Sequence, residues 1–221
     1  MKSLNIILLG RSGSGKGTQA ELLSKKFSLV NIDSGDILRE LAKRKDQFGK
    51  NILETITQGK LVPLWLVIYC WLDKFLNLSP KQGIIMEGSP RLLEEAKILE
   101  EVLSWFGRKK LIVIYLETSE KEVTNRLLNR RICSQCHKEF SLILTPGLKK
   151  CSHCGGKLIR RPDDYPRAIK NRMLFFKKNI IPVINYFHKK NMLIKVKGEG
   201  SVMEIHQNIV NKINPPTGGK R

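Results

Sequence analysis

Apolar and polar positions alternate along the chain in a way that predicts short buried strands separated by longer amphipathic helices. Four short apolar runs, bounded by glycine or charge, predict parallel strands: Asn5 to Leu9, Gly83 to Met86, Leu111 to Leu116 and Leu193 to Val196. Seven segments have the helical period: Thr18 to Phe27, Gly35 to Lys45, Leu64 to Leu76, Leu92 to Phe106, Glu120 to Leu128, Tyr165 to His188 and Val202 to Ile213. This order predicts an α/β fold with a doubly wound parallel sheet and ligands at the carboxyl ends of its strands.

Two parts of the chain depart from this pattern. Residues 131 to 159 contain four cysteines, one proline and three glycines without helical periodicity, and we interpret them as an insertion. Residues 215 to 221 have too few apolar side chains to pack, so we expect a disordered tail there.

Length and hydropathy predict one main domain. At 221 residues and 41% apolar composition, the chain can bury one sizeable core and carry small insertions. Its longest apolar stretch, Leu61 to Leu76, is broken by Pro63 and two charged residues, so it falls short of the roughly 18 apolar residues of a membrane helix. The first residues run into Gly10 without a small-residue cleavage site, which predicts a strand instead of a signal peptide. We therefore expect no membrane association and a cytoplasmic location.

The chain is strongly basic, with a formal net charge of +20 from 40 basic and 20 acidic residues. Such a field attracts polyanions of any kind, from nucleotides to nucleic acids, and by itself names no ligand. The basic residues are spread along the chain, with few aromatic residues between them. Two interpretations stay open, a solvated basic surface and a functional contact with RNA or DNA.

The cysteines predict a metal site. Two Cys-x-x-Cys pairs, separated by fourteen residues, contain four of the five cysteines: Cys133 with Cys136, and Cys151 with Cys154. In a reducing cytosol this pattern favours a tetrahedral structural Zn²⁺ over disulfides. Four thiolates leave no open coordination position, so we expect neither catalytic zinc nor a ligand role for His137. The isolated Cys70 lies in an apolar run and predicts a small buried side chain.

A glycine-rich loop, GRSGSGKGT from Gly10 to Thr18, follows the first predicted strand and leads directly into a helix. Glycines let the backbone wrap a phosphate, amides and the helix N-terminus point at it, and Lys16 supplies a mobile positive charge. The general pattern has Ser or Thr directly after the lysine, whereas this chain has Gly17 there and its hydroxyl at Thr18. The context of strand, loop and helix predicts a nucleotide phosphate site.

Glycine directly after the loop lysine resembles the adenylate kinases, and five further motifs resemble that family in the same order. They are SGDILR at Ser34 to Arg39, GKLVP at Gly59 to Pro63, EGSPR at Glu87 to Arg91, the arginines from Arg126 to Arg131, and the segment from Arg161 to Arg172. The resemblance implies a five-stranded P-loop NTPase core at 1–33, 64–125 and 166–214. It also implies a helical insertion at 34–63 that binds a nucleoside monophosphate, and a zinc-stapled β lid at 126–165.

The resemblance also assigns site residues. It implies that ATP, with Mg²⁺, binds at Gly13, Ser14, Gly15, Lys16, Gly17, Thr18, Arg126, Arg130, Phe140 and Gly200. It implies a monophosphate site at Ser34, Arg39, Lys60, Leu61, Val62, Gly88, Ser89, Pro90, Arg91, Glu95, Arg161 and Arg172, with Glu87 acting on magnesium through water. Transfer between two polyanions needs cations from several directions, and the catalytic group implied here is Lys16, Arg91, Arg130, Arg161 and Arg172.

Some roles have alternatives. Phe140 either contacts the ATP nucleotide, as in relatives, or belongs to the core of the lid. Asp163 and Asp164 are expected to orient arginines and the lid hinge, because a phosphate acceptor is already ionised and needs no general base.

Three residues of the monophosphate half depart from the family pattern. Glu87 replaces an aspartate, Ser89 replaces a phenylalanine, and Glu95 stands where adenylate kinases have a glutamine. An ionised Glu95 has no donor for N1 of adenine and suits the N1–H and N2–H₂ donors of guanine instead. AMP is the favoured acceptor, and GMP or a pyrimidine monophosphate is the alternative.

A hypothesis from another class is a non-catalytic basic zinc protein that binds nucleic acid. It predicts salt-sensitive RNA binding and no phosphotransfer. The intact loop lysine and the arginines favour the kinase, for which we expect ATP and a monophosphate as ligands, no requirement for nucleic acid, and a monomer.

Overall fold

The computed structural model describes residues 4–108, 110–161 and 164–214. Its strands are β1 (Asn5–Gly10), β2 (Val30–Asp33), β3 (Ile84–Glu87), β4 (Leu111–Glu117), β5 (Arg130–Cys133), β6 (Glu139–Ser141), β7 (Leu158–Ile159) and β8 (Leu193–Lys197). Its helices are α1 (Lys16–Phe27), α2 (Ser34–Leu41), α3 (Gln47–Thr57), α4 (Leu64–Leu76), α5 (Leu93–Trp105), α6 (Glu120–Leu128), α7 (Pro166–Phe175), α8 (Ile181–Lys189) and α9 (Val202–Ile213). A π-helical turn, Phe176–Ile180, joins α7 to α8.

Five strands form one parallel sheet in the order β2-β3-β1-β4-β8. The central strand β1 places Asn5 between Ile84 of β3 and Leu111 of β4. Because these strands are parallel, their carboxyl ends share one edge, and the loops that follow β1, β2 and β3 begin there. The predicted doubly wound α/β sheet with five strands is confirmed.

Two layers of helices cover the sheet, and alternate residues of β1 face opposite layers. Ile7 packs in a cluster with residues of α4, α5 and α8, whereas Ile6 packs in a second cluster with α1 and α9. Burial on both faces explains why the strands have nearly continuous apolar sequences. Cys70, predicted to be buried, is 1% exposed within the first cluster.

The apolar pattern missed one strand of the main sheet and one helix. Of the four residues of β2, only Ile32 is buried, so this strand lacks the apolar run that indicated the others. The helix predicted from Gly35 to Lys45 is present but shorter, because α2 ends at Leu41, and a separate helix, α3, follows it. Asp46 starts α3 by accepting a hydrogen bond from the Gly49 N–H at 2.9 Å.

The helix predicted from Tyr165 to His188 is interrupted by the π turn. This turn lies directly before Pro182, which has no N–H to donate to the carbonyl one turn earlier. The axis nevertheless continues from α7 to α8.

A separate antiparallel sheet, ordered β6-β5-β7, occupies the predicted lid between α6 and α7. Arg130 pairs with Ser141, and Cys133 pairs with Leu158, so β5 is its central strand. The predicted tail at 215–221 lies outside the described residues. Within the ranges described, no helix combines the length and the apolar character needed to cross a bilayer.

Candidate active site and metal centre

The glycine-rich loop connects the end of β1 to the start of α1. Gly13 and Gly15 have φ angles of +82° and +91°, which glycine adopts without strain. A Cβ on Gly13 would lie 2.9 Å from the Leu127 side chain, so the loop also packs too closely against α6 for a larger residue. Gly15 precedes α1 without a side-chain cap, which leaves the first amides of this helix available to an anion.

Lys16 lies folded over this loop. Its Nζ donates to the carbonyl oxygens of Gly10 at 3.1 Å and Arg11 at 2.8 Å. Loss of hydration lowers the pKa of Lys16 to about 8, with nearby Arg91 and Arg130 adding to the decrease and Glu87 opposing it. The loop lysine, the monophosphate segment and the lid therefore act on one another electrostatically.

Two carboxylates lie side by side at the carboxyl ends of β2 and β3, where the strand register pairs Asp33 with Glu87. Burial raises the pKa of Glu87 to about 7, and the charge of Asp33 adds to this increase. A Cβ on Gly17 would lie 3.5 Å from the Glu87 carboxylate, so these groups face the phosphate loop. Carboxylate oxygens beside a phosphate loop suit a hydrated Mg²⁺. Sequence reasoning identified Glu87 but missed Asp33. The only sequence signal for Asp33 was its position at the end of β2, a strand too polar to be recognised.

Two arginines of the lid and one of α7 converge on two carboxylates. Arg130 forms a two-pronged ion pair with the fully buried Asp164, through Nε at 2.7 Å and Nη2 at 2.8 Å. Arg172 donates to the same carboxylate at 3.1 Å, which agrees with the orienting role predicted for Asp164. Arg161 donates to Glu139 at 2.7 Å, and Arg130 also contacts Glu139 at 3.2 Å. Asp163 lies outside the described residues, and the contribution of Glu139 was not predicted.

A cleft lies between the inserted helices and the start of α5. Eight of the residues assigned to the monophosphate site line it: Ser34, Lys60, Leu61, Val62, Gly88, Ser89, Arg91 and Glu95. Its apolar wall is completed by Leu38, Ile56 and Val67, which sequence reasoning did not assign. The structure thus brings together residues from four separate segments around one concave, partly apolar space.

Glu95 is a buried carboxyl in the wall of this cleft, with 2% of its surface exposed. Its Oε2 accepts a hydrogen bond from the Arg91 backbone N–H at 2.7 Å, and Oε1 has no hydrogen-bond partner among the described residues. Burial raises the pKa of Glu95, and the Glu94 charge adds to the increase, while the Arg91 N–H and guanidinium oppose it. The neutral carboxyl therefore persists to higher pH than for an exposed glutamate.

The remaining residues assigned to the site lie in different parts of the molecule. Arg126 contacts the loop, because its Nη1 is 3.5 Å from the Ser14 carbonyl oxygen. Arg39 lies at the cleft side and pairs with Asp33 at 3.6 Å. Gly200 precedes α9, whose Val202 carbonyl accepts from the α1 residue Gln19. Phe140 pairs across β6 and β5 with Arg131, and no contact joins it to the loop among the described residues.

Arg11 supports the loop, although sequence reasoning gave it no role. Its Nη1 donates to the Thr118 carbonyl oxygen at 2.7 Å, and its guanidinium lies 4.4 Å from the centroid of the Phe176 ring. The side chain thereby ties the loop to the end of β4 and to the π turn. Its position inside the loop motif was the only available signal.

The four predicted metal ligands form one cluster in the lid. Their sulfur atoms all lie within 4.8 Å of one another, with Cys133 and Cys154 at 3.4 Å and Cys136 and Cys151 at 3.6 Å. Tetrahedral zinc with bonds of about 2.3 Å places its sulfurs about 3.8 Å apart, so the cluster has suitable dimensions. A Cβ on Gly156 would lie 2.7 Å from the Cys133 sulfur, which indicates that the backbone is packed closely around the cluster.

Backbone amides favour the thiolate forms of Cys133 and Cys151 in this cluster, whereas burial and the neighbouring sulfurs raise the pKa of Cys136 to about 12. A hydrogen bond from the Cys136 backbone is the main cause that lowers the pKa of Cys133 to about 6. The Gln135 N–H donates to the same sulfur at 3.4 Å, and the His153 N–H donates to the Cys151 sulfur at 3.3 Å. Since thiolate is the form that binds metal, the residues present fit a structural zinc ion.

The parallel sheet, the phosphate loop and the facing arginines define a P-loop phosphotransferase. The adenylate kinase family model matches residues 8–192. Adenylate kinase of Thermosipho africanus is 37% identical over 95% of this chain and 99% of its own length. The adenylate kinases of Caldicellulosiruptor bescii and Methanocella arvoryzae are 35% and 36% identical, over 94% and 91% of this chain and 97% and 94% of their own lengths. The chain belongs to the adenylate kinase family.

Proposed function

We propose that this chain transfers the γ-phosphoryl group of ATP to AMP, giving two molecules of ADP, in a reversible reaction. The family membership and the names of the relatives support this reaction and do not favour another class of protein. The attacking AMP phosphate oxygen is already ionised, so no side chain has to remove a proton. The residues contribute mainly by positioning the two nucleotides and stabilising charge.

The observation that carries the proposal is the nearness of the phosphate loop to the cleft: a Cβ on Gly17 would lie 3.5 Å from the Glu87 carboxylate, and the next residue, Gly88, lines the cleft. The charges of Glu87, Arg91 and Arg130 also act on the Lys16 ammonium group. Lys16 and the loop amides would hold the ATP phosphates, while Arg39 and Arg91 would hold the AMP phosphate. Arg130, Arg161 and Arg172 would then surround the phosphoryl group during its transfer. A planar guanidinium group binds two phosphate oxygens at once and remains charged.

Metal ions have two separate roles in this proposal. Asp33 and Glu87, neighbours in the strand register, would hold the water ligands of the Mg²⁺ that accompanies ATP, and the ion would offset phosphate charge. Zn²⁺ is structural, held by the four lid cysteines. The lid at 126–165 and the helical insertion at 34–63 would close over the core and exclude water from the reacting phosphates.

Glu95 would recognise the base of the acceptor. A neutral carboxyl offers one donor and one acceptor, which complement N1 and the N6 amino group of adenine. Its Oε1 faces no protein partner among the described residues, and Oε2 keeps one lone pair after accepting from Arg91. An ionised carboxylate instead offers two acceptors, which suit guanine. We therefore infer that AMP binds the protonated form of Glu95.

A coupled assay of ADP formation tests the reaction, using ATP with AMP, GMP, CMP or UMP. We expect AMP to be the best acceptor near neutral pH. Lys16→Met should lower the rate by about a hundredfold or more, because a charge that faces the transferring group is lost. The control Lys26→Met changes an exposed lysine of the same helix and should leave the rate unchanged. Equal background rates with all four monophosphates would contradict the proposal.

Gel filtration and cell fractionation test two narrower parts of the proposal, a monomer that acts in the cytoplasm. A dimer at catalytic concentrations would contradict the first of these.

A further inference from the structure

One continuous segment of the chain is rich in positive charge. Only residues near its beginning have a role in the proposed phosphotransfer. From Tyr165 to Gly198 the chain has nine basic residues and no aspartate or glutamate. Since 20 of the 221 residues are acidic, a segment of this length would contain about three carboxylates on average. Among these basic residues, only Arg172 belongs to the proposed active site.

Apart from Arg172, which contacts Asp164, the basic residues of the long helix α7–α8 lie on one exposed face. We call this face the outer stripe, and its cations are Arg167, Lys170, Lys177, Lys178 and Lys189, all exposed. They recur at helical spacing, and at 1.5 Å per residue the stripe extends about 33 Å along the helix. No carboxylate lies on the stripe.

These cations are mostly not used in ion pairs. Lys177 pairs with Glu120 at 3.1 Å, and both side chains are about half exposed. Within the part of the chain that the structure describes, Arg167, Lys170, Lys178 and Lys189 form no ion pair. A row of exposed and unpaired cations repels itself, and it is stabilised by an external polyanion.

We propose that the outer stripe is a docking surface for the phosphate backbone of double-stranded RNA. The helix cannot act as a membrane-inserting amphipathic helix, because its apolar face, including Met173, Phe176 and Phe187, is buried in the protein. The exposed apolar side chains on the stripe are Leu174 and Ile181, which is too small an apolar area for a stable position in the interface. Charge complementarity therefore carries the interaction.

A duplex fits the stripe better than a single strand does. Proteins that bind single strands stack the bases on exposed aromatic rings, and the outer stripe has none between Arg167 and Lys189. Double-stranded RNA is instead contacted through its phosphates and 2′-hydroxyl groups. The exposed amides Asn171 and Asn185 lie among the cations and can bond to both.

Fluorescence anisotropy with a labelled 16-base-pair RNA duplex tests the proposal on the full chain. Each phosphate contact lowers log K by about 0.9 per decade of salt, so four unpaired cations predict a slope of about −4. The double variant Lys170→Glu, Lys178→Glu should weaken binding at least tenfold and reduce the slope. The matched control Lys81→Glu, Lys97→Glu makes the same change of net charge at exposed positions away from the helix and should retain most of the affinity.

ADP formation should be equal in both double variants and the native chain, which separates loss of RNA binding from misfolding. Equal weakening by the two double variants would overturn the proposal, because net charge alone would then explain binding. So would binding to phosphatidylserine vesicles without binding to RNA. Tighter binding of a DNA duplex or of single-stranded RNA of the same sequence would overturn the assignment to double-stranded RNA.

Discussion

At the scale of single residues, the site depends on carboxyl groups whose surroundings change their chemistry. Glu95 accepts a hydrogen bond from a backbone amide and is almost fully buried, and burial raises the pKa of its carboxyl group. Asp164 is fully buried and holds two arginines at once. Neither property is visible in the residue type itself, and each leads to a measurable consequence.

Acceptor binding is expected to depend on pH through Glu95. Its pKa is raised by burial, so the neutral acid that donates to adenine persists above the ordinary carboxyl range and is lost as pH rises through the raised value. The KM for AMP should therefore rise with pH by about tenfold per unit above that value, while the KM for GMP falls. Kinetics from pH 5 to 9 measure both.

The variant Glu95→Gln supplies the control for this pH dependence. Glutamine keeps the donor and acceptor at all pH values, so its KM for AMP should not follow the native pH profile. A native profile that the variant reproduces would assign the pH dependence to other groups, such as Lys16 and Glu87 beside the cleft.

Asp164 is expected to act by positioning the arginines. Asp164→Asn removes the charge that fixes Arg130 and Arg172, and misplacement of such groups by about 1 Å can cost about a hundredfold in rate. We expect kcat to fall by ten- to a hundredfold with a smaller change in KM. The control Asp46→Asn weakens an exposed ion pair with Arg44 and keeps a helix cap, so it should change neither value. An unchanged kcat for Asp164→Asn would refute this role.

At the scale of elements, the lid sheet connects the metal cluster to the arginines. Strand β5 begins with Arg130 and ends with Cys133, so one strand of four residues carries both an arginine of the proposed active site and a cysteine of the candidate metal cluster. Cys133 also pairs with Leu158 of β7, close in sequence to Arg161. A well-ordered metal cluster would therefore fix the positions of Arg130 and Arg161 through these short strands.

Replacement of Cys133 by alanine tests this connection. Native protein should contain about one zinc ion per chain, and Cys133→Ala should contain much less, because a closed site needs all its ligands. The melting temperature should fall by about 5 °C or more, and kcat should fall with it. Elemental analysis and calorimetry measure these changes.

The fifth cysteine provides a control for the zinc experiment. Cys70→Ala removes a buried thiol from the core cluster, so it should lower stability through a small cavity while the zinc content stays unchanged. An unchanged melting curve of Cys133→Ala, with no zinc in the native protein, would remove the basis for a metal-stapled lid.

At the scale of the whole molecule, the net charge of +20 is a source of repulsion between basic residues. Raising the salt concentration from 0.01 to 0.1 M shortens the screening length from about 30 to about 10 Å. The melting temperature should consequently rise by about 2 °C or more over this range. The Lys81→Glu, Lys97→Glu variant has a lower net charge and should respond less, whereas a native melting temperature that falls with salt would contradict the expectation.

The sequence by itself determined the features whose residues lie close together along the chain. The glycine-rich loop around Lys16, the paired cysteines and the order of the motifs lie in short segments, so residue type and spacing specify the phosphate site, the candidate metal site and the α/β class. The apolar pattern also identified most helices and strands. It missed β2 and α3 because their signals are short or interrupted, and both depend on packing against other elements.

Only the tertiary structure decided how distant residues combine. The register of β2 and β3 places Asp33 beside Glu87, the lid brings Arg130 to Asp164, and packing of the insertion against α5 dehydrates Glu95. Packing of one helix face also leaves five basic residues of α7–α8 on a single outer stripe. The physical reason is that hydration, charge pairing and protonation depend on neighbours in space, and the folded chain assembles those neighbours from segments that are far apart in sequence.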